Sequence, residues 1–227
     1  MKKTIISCVL FLTAVTAFSQ TPMKTAAEAK LSASDLAVKI ADRILATTTY
    51  EFKNTKTGKT YKSVKNLPLD MNVKVACKYN NWHYTNGVTH IALMELADKT
   101  GAKKYDDYVL KNMNFVFNEG NLDFFKKQYE QAMKNEGWYG VRKLSWHMIF
   151  RGKRLDDNGP MGASLIDLQM KHPNNSFLNY INETAEHLNY GEPRLADGTI
   201  ARIWLMKIPS GLMMLSWLSL SLHVWLR

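Results

Sequence analysis

Cysteine is almost missing from this 227-residue chain, which has only Cys8 and Cys77. Cys8 falls in an N-terminal stretch read below as a cleaved leader. Cys77 is then alone, and an intrachain disulfide framework is excluded. Tracts of Lys or Arg are missing as well, and no nucleic-acid-binding motif occurs. The net charge of +10 is scattered along the chain, so nucleic acid is not an expected partner. Such a balance would suit an anionic substrate, but more often it only reflects solvated surface. His83, His90, His147, His172 and His187 never form an HExxH or similar pair, so neither a metal site nor a cofactor is expected. Acidic residues are missing from Ile203 to Arg227, a stretch that holds three of the six tryptophans.

What is present begins with "MKKTIISCVLFLTAVTAFSQ". Lys2 and Lys3 precede a short apolar core from Thr4 to Ala17, and Ala17-Phe18-Ser19 carries small residues where a signal peptidase reads. The pattern is a secretory leader over 1–19, too short for a membrane span, and it implies a secreted or periplasmic protein. Removing Lys2 and Lys3 lowers the charge from +10 to +8. The remaining length suffices for one domain with a real core.

Apolar residues recur at helical spacing through most of that domain. "SDLAVKIADRILATTTY" places Leu36, Ile40, Ile44 and Leu45 on one face, with Ser34 as cap. Residues 52–70 carry Gly, Pro and many Lys and read as a loop. Helices are expected over 83–98, from Tyr105 to Val116 after the break at Gly101, and from Asn121 to Met133. Gly159-Pro160 opens another with Met161, Leu165 and Leu168, and "NNSFLNYINETAEHL" supplies the next. Convincing strands are few, so the fold class is all-α, with short loops joining antiparallel neighbours. No fixed-period repeat is visible, which favours a closed helical toroid over a solenoid.

Three stretches could carry chemistry. In "NNWHYTNGVTHIALMEL", Trp82 and Tyr84 precede and open a helix. Their rings could stack on the C–H face of a pyranose, or simply belong to the core. In "WHMIFRGKRLDDNGPMGASLIDL", Asp156 and Asp157 are adjacent. Neighbouring side chains diverge, so at most one enters a pocket. The structural alternative is a helix cap with a solvated neighbour. In "EPRLADGTIAR", Asp197-Gly198 reads as a turn between two short arms, with Arg202 on the second.

Taken in order, "WHYTNGVTHIALMELADKTGAKKYDDYV", "RLDDNGPMGASLI" and "RLADGTIAR" resemble glycoside hydrolase families 88 and 105, over roughly Asp35 to Trp204. The resemblance implies an (α/α)6 toroid, of which this chain would supply about the N-terminal half. It also implies a hydrolase for oligosaccharides that end in a 4,5-unsaturated uronic acid, as in the breakdown of pectin and rhamnogalacturonan. In that chemistry an Asp protonates C4 of a vinyl ether and water adds at C5. The hemiketal then opens and releases the neighbouring sugar. The acid must hold its proton near neutral pH, which requires burial or a like-charged neighbour. By resemblance Asp156, with Asp157 beside it, supplies the catalytic carboxyl, and Trp82, Tyr84 and Arg202 contact substrate. The other readings are a non-catalytic sugar-binding remnant, or a secreted helical protein with a C-terminal membrane anchor.

The family's second Asp belongs to a downstream motif of the form Trp-x-Asp-Asp/Gly-x-Tyr/Phe-Met, absent from the residues as written. Residues 210–227 are apolar but short for crossing a bilayer of about 30 Å, and they contain four Ser and His223, so membrane insertion is not expected. Single-codon Met and Trp constrain the underlying DNA. Read from the third base of each codon, the segment after Trp204 permits Glu-Asn-Thr-Ile-Trp-Ala-Asp-Asp-Ala-Phe-Met, which holds the missing motif. The expectation is a frameshifted tail over 205–227 following a hydrolase segment over 20–204, and a chain that, lacking the second Asp and the far half of the toroid, is poorly stable and has little or no activity. Resequencing the DNA across Trp204 tests it. The residues say nothing of oligomeric state.

Overall fold

The computed structural model describes residues 32–117, 120–151 and 155–201, without the side chains of Leu155 and Asp157. The expected leader over 1–19 and tail over 205–227 lie outside the described residues. The chain divides into two units, Met1–Ile40 and Ala41–Arg227. Ser32, in the first, opens helix α1 (Ala33–Thr47), whose residues from Ala41 on belong to the second, by reciprocal capping. Its Oγ accepts from the Asp35 backbone N–H at 3.1 Å, and the Asp35 carboxylate accepts from the Ser32 N–H at 3.2 Å. The helix therefore starts before Ser34, the expected cap.

The second unit is predominantly helical, as the periodicity predicts. It holds α2 (Tyr84–Thr100), α3 (Lys104–Phe117), α4 (Asn121–Val141), α5 (Leu155–Lys171) and α6 (Asn175–Glu186). Asn174 caps α6, its side chain accepting from the Ser176 N–H, and Gly101 at φ 70° ends α2 with its N–H on the Ala97 carbonyl. Gly137 (φ 60°, ψ −147°) interrupts α4 and turns the chain toward a 3-10 segment, His147–Phe150.

The stretch expected as a loop instead forms a small antiparallel sheet in the order β2-β1-β3. Its strands are β1 (Phe52–Asn54), β2 (Thr60–Tyr61) and β3 (Val73–Val75). Phe52 pairs with both Tyr61 and Val75. The physical cause is local. Phe52 and Asn54 point inward while Lys53 points out, and Asn54 Oδ1 accepts from the Lys56 and Thr57 N–H groups to fold the turn that Gly58 completes at φ 75°. Gln128 on α4 donates to the Asp70 and Val73 carbonyls and fastens the sheet to the helices.

The core is aromatic. Phe52 lies among Phe115, Phe124 and Phe125, and Phe125 stacks on Trp146 with ring centroids 6.1 Å apart. Offset and edge-on ring pairs of this kind add stability beyond their buried area.

The helix expected to open at Gly159-Pro160 begins earlier, at Leu155, and Pro160 sits inside it. A proline there has no N–H for the Asp156 carbonyl one turn back, so the first turn has fewer backbone bonds than the rest. Asp156 and Asp157 thus lie in the first helical turn rather than in a preceding bend.

Candidate active site

The position of this first turn follows from a crossing between α2 and α5. Gly87 has no side chain, and that permits contact between two backbones. A Cβ built on Gly87 would stand 2.3 Å from the Pro160 carbonyl carbon and 2.4 Å from the Met161 nitrogen. At the far end, Lys171 Nζ on α5 lies 2.7 Å from Asp98 on α2. Both contacts are eleven positions apart along each helix, so α2 and α5 run side by side in the same direction. Lys171 also reaches Asp106 at 3.2 Å, in the first turn of α3, so α3 runs the opposite way.

The start of α2, the end of α3 and the start of α5 therefore share one end of the bundle. Tyr84 lies three residues before Gly87 and Asp156 four before Pro160. At about 1.5 Å of rise per residue, each is within about 6 Å, measured along its own helix, of the crossing.

The loop before α2 is tied to this end by amides and rings. Asn86 donates to the Lys78 and Asn81 carbonyls at 2.9 Å each, and Asn81 Oδ1 accepts the Trp146 N–H at 2.6 Å. Trp146 is held at φ 59°, a left-handed conformation uncommon outside glycine, with its ring fully buried. Trp82 is fully buried too. Its ring meets Tyr180 edge-on at 5.0 Å and packs near Phe117 and Trp146. The Tyr180 hydroxyl lies 3.3 Å from both Asn158 Oδ1 and the Ile149 carbonyl oxygen, and its one proton is shared between these two acceptors. A continuous contact thus joins the "NNWHY" loop to the "LDDNG" turn.

Of the residues the sequence singled out, Tyr84 is more than a third exposed, and its ring lies 4.6 Å from that of His83. His83 caps α2, its Nδ1 accepting from the Thr85 N–H at 3.3 Å. Asp156 is half-buried on α5. Asp157 shares the turn, but its side chain lies outside the description. Trp82 presents no ring surface to solvent in the described structure. Arg202 lies outside the described residues.

The third stretch folds as the turn that Asp197-Gly198 predicts. Arg194 and Ile200 form an antiparallel bridge, and the Asp197 carboxylate accepts the Thr199 N–H at 2.9 Å, which holds that carboxyl below the usual range. Arg194 donates to the Gly198 and Leu188 carbonyls and clamps the turn to the end of a π-helical segment, His187–Gly191.

Sequence reasoning missed three members of this arrangement. Asn81, Asn158 and Tyr180 are common residue types whose role depends on distant partners. Only Gly87, a glycine early in a helix that needs none for its own geometry, offered a signal of close approach.

Among the described residues, no group of three His, Cys, Asp or Glu could hold a metal ion, and no helix is long and apolar enough to cross a membrane.

Residues 54–214 match the family model described as Glycosyl Hydrolase Family 88. No curated protein matches the chain.

Proposed function

The chain belongs to Glycosyl Hydrolase Family 88, and from that membership we propose that it acts on oligosaccharides ending in a 4,5-unsaturated uronic acid. As a member of that family it is a glycoside hydrolase with a carbohydrate substrate. The finer reading is vinyl-ether hydration with Asp156, or Asp157 beside it, as the proton-donating carboxyl and the second carboxyl supplied by the downstream motif. The observation that carries it is the contact of Gly87 with Pro160, which brings the aromatic start of α2 and the paired carboxyls of α5 to one end of two parallel helices.

The reaction needs a proton at C4 and a water at C5. One carboxyl of the pair gives its proton to C4, and the C4–C5 double bond becomes single. Water bonds to C5 and loses a proton to a carboxylate, so the two proton transfers balance. The resulting C5 hemiketal expels its ring oxygen and becomes a ketone. That leaves a hemiacetal at C1, which releases the neighbouring sugar as an alcohol and becomes an aldehyde.

Tyr84 is the exposed aromatic at this end and is assigned to the sugar face. Trp82, behind it, supports the wall through Tyr180 and Asn158. Arg202 is assigned to substrate binding by the resemblance alone. The parallel α2 and α5, with α3 reversed between them in sequence, support the ring of helical hairpins that an (α/α)6 toroid requires. Delivery outside the cytoplasm through the leader over 1–19 completes the proposal, and N-terminal sequencing of the exported protein tests it.

The activity test follows loss of the vinyl-ether ultraviolet absorbance with unsaturated galacturonyl-rhamnose and unsaturated glucuronyl disaccharides. Asp156→Asn and Asp157→Asn are compared with the frame-restored parent, because the expected frameshift leaves the chain as written without the family's second Asp. Removing a general acid costs about 10²–10⁴-fold in rate. One of the two variants is expected to lose that much with KM little changed. Equal turnover by both variants and the parent would remove this pair from the mechanism.

A further inference from the structure

The face of α3 opposite the core carries a hollow of about 360 Å³ that shares no residue with the stretches holding Tyr84 and Asp156. Its volume falls within the range of small-molecule sites, roughly 300–1,000 Å³. Asp107, Leu110, Lys111 and Asn114 line one side at positions i, i+3, i+4 and i+7, which a helix places on a single face. Lys62, just beyond β2, lines the other side. Tyr50 and Phe115 also line it, and their rings meet edge-on at 5.6 Å.

The chemistry of this lining is mixed in a particular way. Lys111 Nζ lies 4.3 Å above the Tyr50 ring centroid, so its ammonium is held at the hollow by a cation–π contact. Among the described residues no carboxylate stands within ion-pair distance of Lys62 or Lys111, although Asp107 shares the hollow. Two cations at the hollow suit one carboxylate. A carboxylate beside them suits hydroxyl groups, and Leu110 with the aromatic pair offers apolar surface to C–H groups. A polar ring bearing a single carboxylate meets all three requirements, whereas inorganic phosphate meets only the first.

We propose that this hollow binds a carboxylated pyranose, a hexuronate unit, through Lys62 and Lys111, with Asp107 accepting from ring hydroxyls. The inference does not depend on the vinyl-ether reading, because a saturated uronate presents the same groups. A glycoside hydrolase with such a site away from its carboxyl pair would hold a polyuronate chain while its end is processed.

The test is isothermal titration of the full chain with saturated galacturonate dimer, galactose and inorganic phosphate, each separately. Galacturonate dimer is expected to bind, and galactose and phosphate to bind at least about tenfold more weakly. Lys111→Ala and Lys62→Ala should each weaken binding about fivefold, the scale of one exposed ion pair. Lys127→Ala, exposed on α4, should leave it unchanged. Raising salt from roughly 0.05 to 0.5 M should weaken binding in the parent and less so in the Lys111→Ala chain. Circular dichroism melting points matching the parent certify that each variant is folded. Phosphate binding as tight as galacturonate, galactose binding as tight as galacturonate, or undiminished binding in both folded lysine variants would each overturn the proposal.

Discussion

Gly87→Ala tests the crossing on which the site is built. The new methyl would meet the Pro160 carbonyl carbon at 2.3 Å, its oxygen at 2.6 Å and the Met161 nitrogen at 2.4 Å. Favourable carbon contacts lie at about 3.5–4.0 Å, so α2 and α5 must separate by about 1.2 Å at the crossing. No side chain can rotate away, because all three neighbours are backbone atoms. Overpacking of this kind costs about 1–3 kcal/mol and sometimes more, and forcing backbones apart belongs at the upper end. Alanine in a helix interior returns about 1 kcal/mol over glycine. The expected net loss is about 2 kcal/mol, or a fall of about 4–8 °C in Tm for a domain of this size. Gly162→Ala, on α5 itself, is the contrasting case. Its nearest neighbour is Thr184 Cγ2 at 4.0 Å, so the methyl fits. There the helix-propensity gain should appear unopposed, as a rise of about 1 kcal/mol. Urea denaturation followed by circular dichroism reads both. If Gly87→Ala is as stable as the parent, the two helices do not touch at this point, and the juxtaposition of Tyr84 with the carboxyl pair falls with it.

Asn81→Ala removes the acceptor of the Trp146 N–H, a 2.6 Å bond at a left-handed residue, and should cost about 1–3 kcal/mol by urea midpoint; a loss below a few tenths would mean that Trp146 is held by its ring alone. His90 is buried with neither ring nitrogen partnered among the described residues, and burial pushes its pKa down to about 4. The folded pKa is below the unfolded value of about 6.5, so the unfolded chain binds the extra proton and stability drops as pH falls through that window, by up to about 3 kcal/mol. His90→Leu should flatten the profile between about pH 6.5 and 4 and leave stability at pH 7 equal or higher, since no hydrogen bond is lost; an unchanged slope would place the titration elsewhere.

The helices of the second unit were legible because their apolar residues face one core, and the α2 positions Leu93, Met94 and Ala97 show why: each is buried, as the 3.6-residue period requires. The sheet was not legible. Three strands of two or three residues are too short to show alternation, and Lys53, Lys59 and Lys62 give the stretch a loop's composition. Its one signal was Asn54 followed by Gly58, the two ends of the turn. The start of α5 was misplaced for a different reason. Gly159-Pro160 is strong turn chemistry locally, yet Asn158, Met161 and Leu165 are all buried, and tertiary packing carries the helix through the proline. The site divides in the same manner. The carboxyl pair was visible as a pattern. Burial of Trp82 and partial exposure of Tyr84 were not, because the two rings flank the start of a helix and only the positions of Tyr180 and Phe117 decide which one faces inward.

That division bears on how the first turn of α5 works. In the proposed mechanism a carboxyl here donates a proton to carbon, and such a group needs a fixed position more than it needs a strong helix around it. Pro160 denies the Asp156 carbonyl its usual helical donor, so backbone bonding alone does not fix the turn. The anchors are lateral instead: the Pro160 backbone against Gly87 on one side, and Asn158 against the Tyr180 hydroxyl on the other. Both lie within four residues of Asp156, and they come from α2 and α6, elements remote in sequence. Tyr180→Phe should therefore affect turnover more than stability. Loss of one hydroxyl at 3.3 Å costs about 0.5–1.5 kcal/mol of folding, while a small displacement of the turn lowers kcat with KM nearly constant. Equal proportional changes in kcat and KM, or none in either, would show that Asn158 needs no lateral support to keep the carboxyls in place.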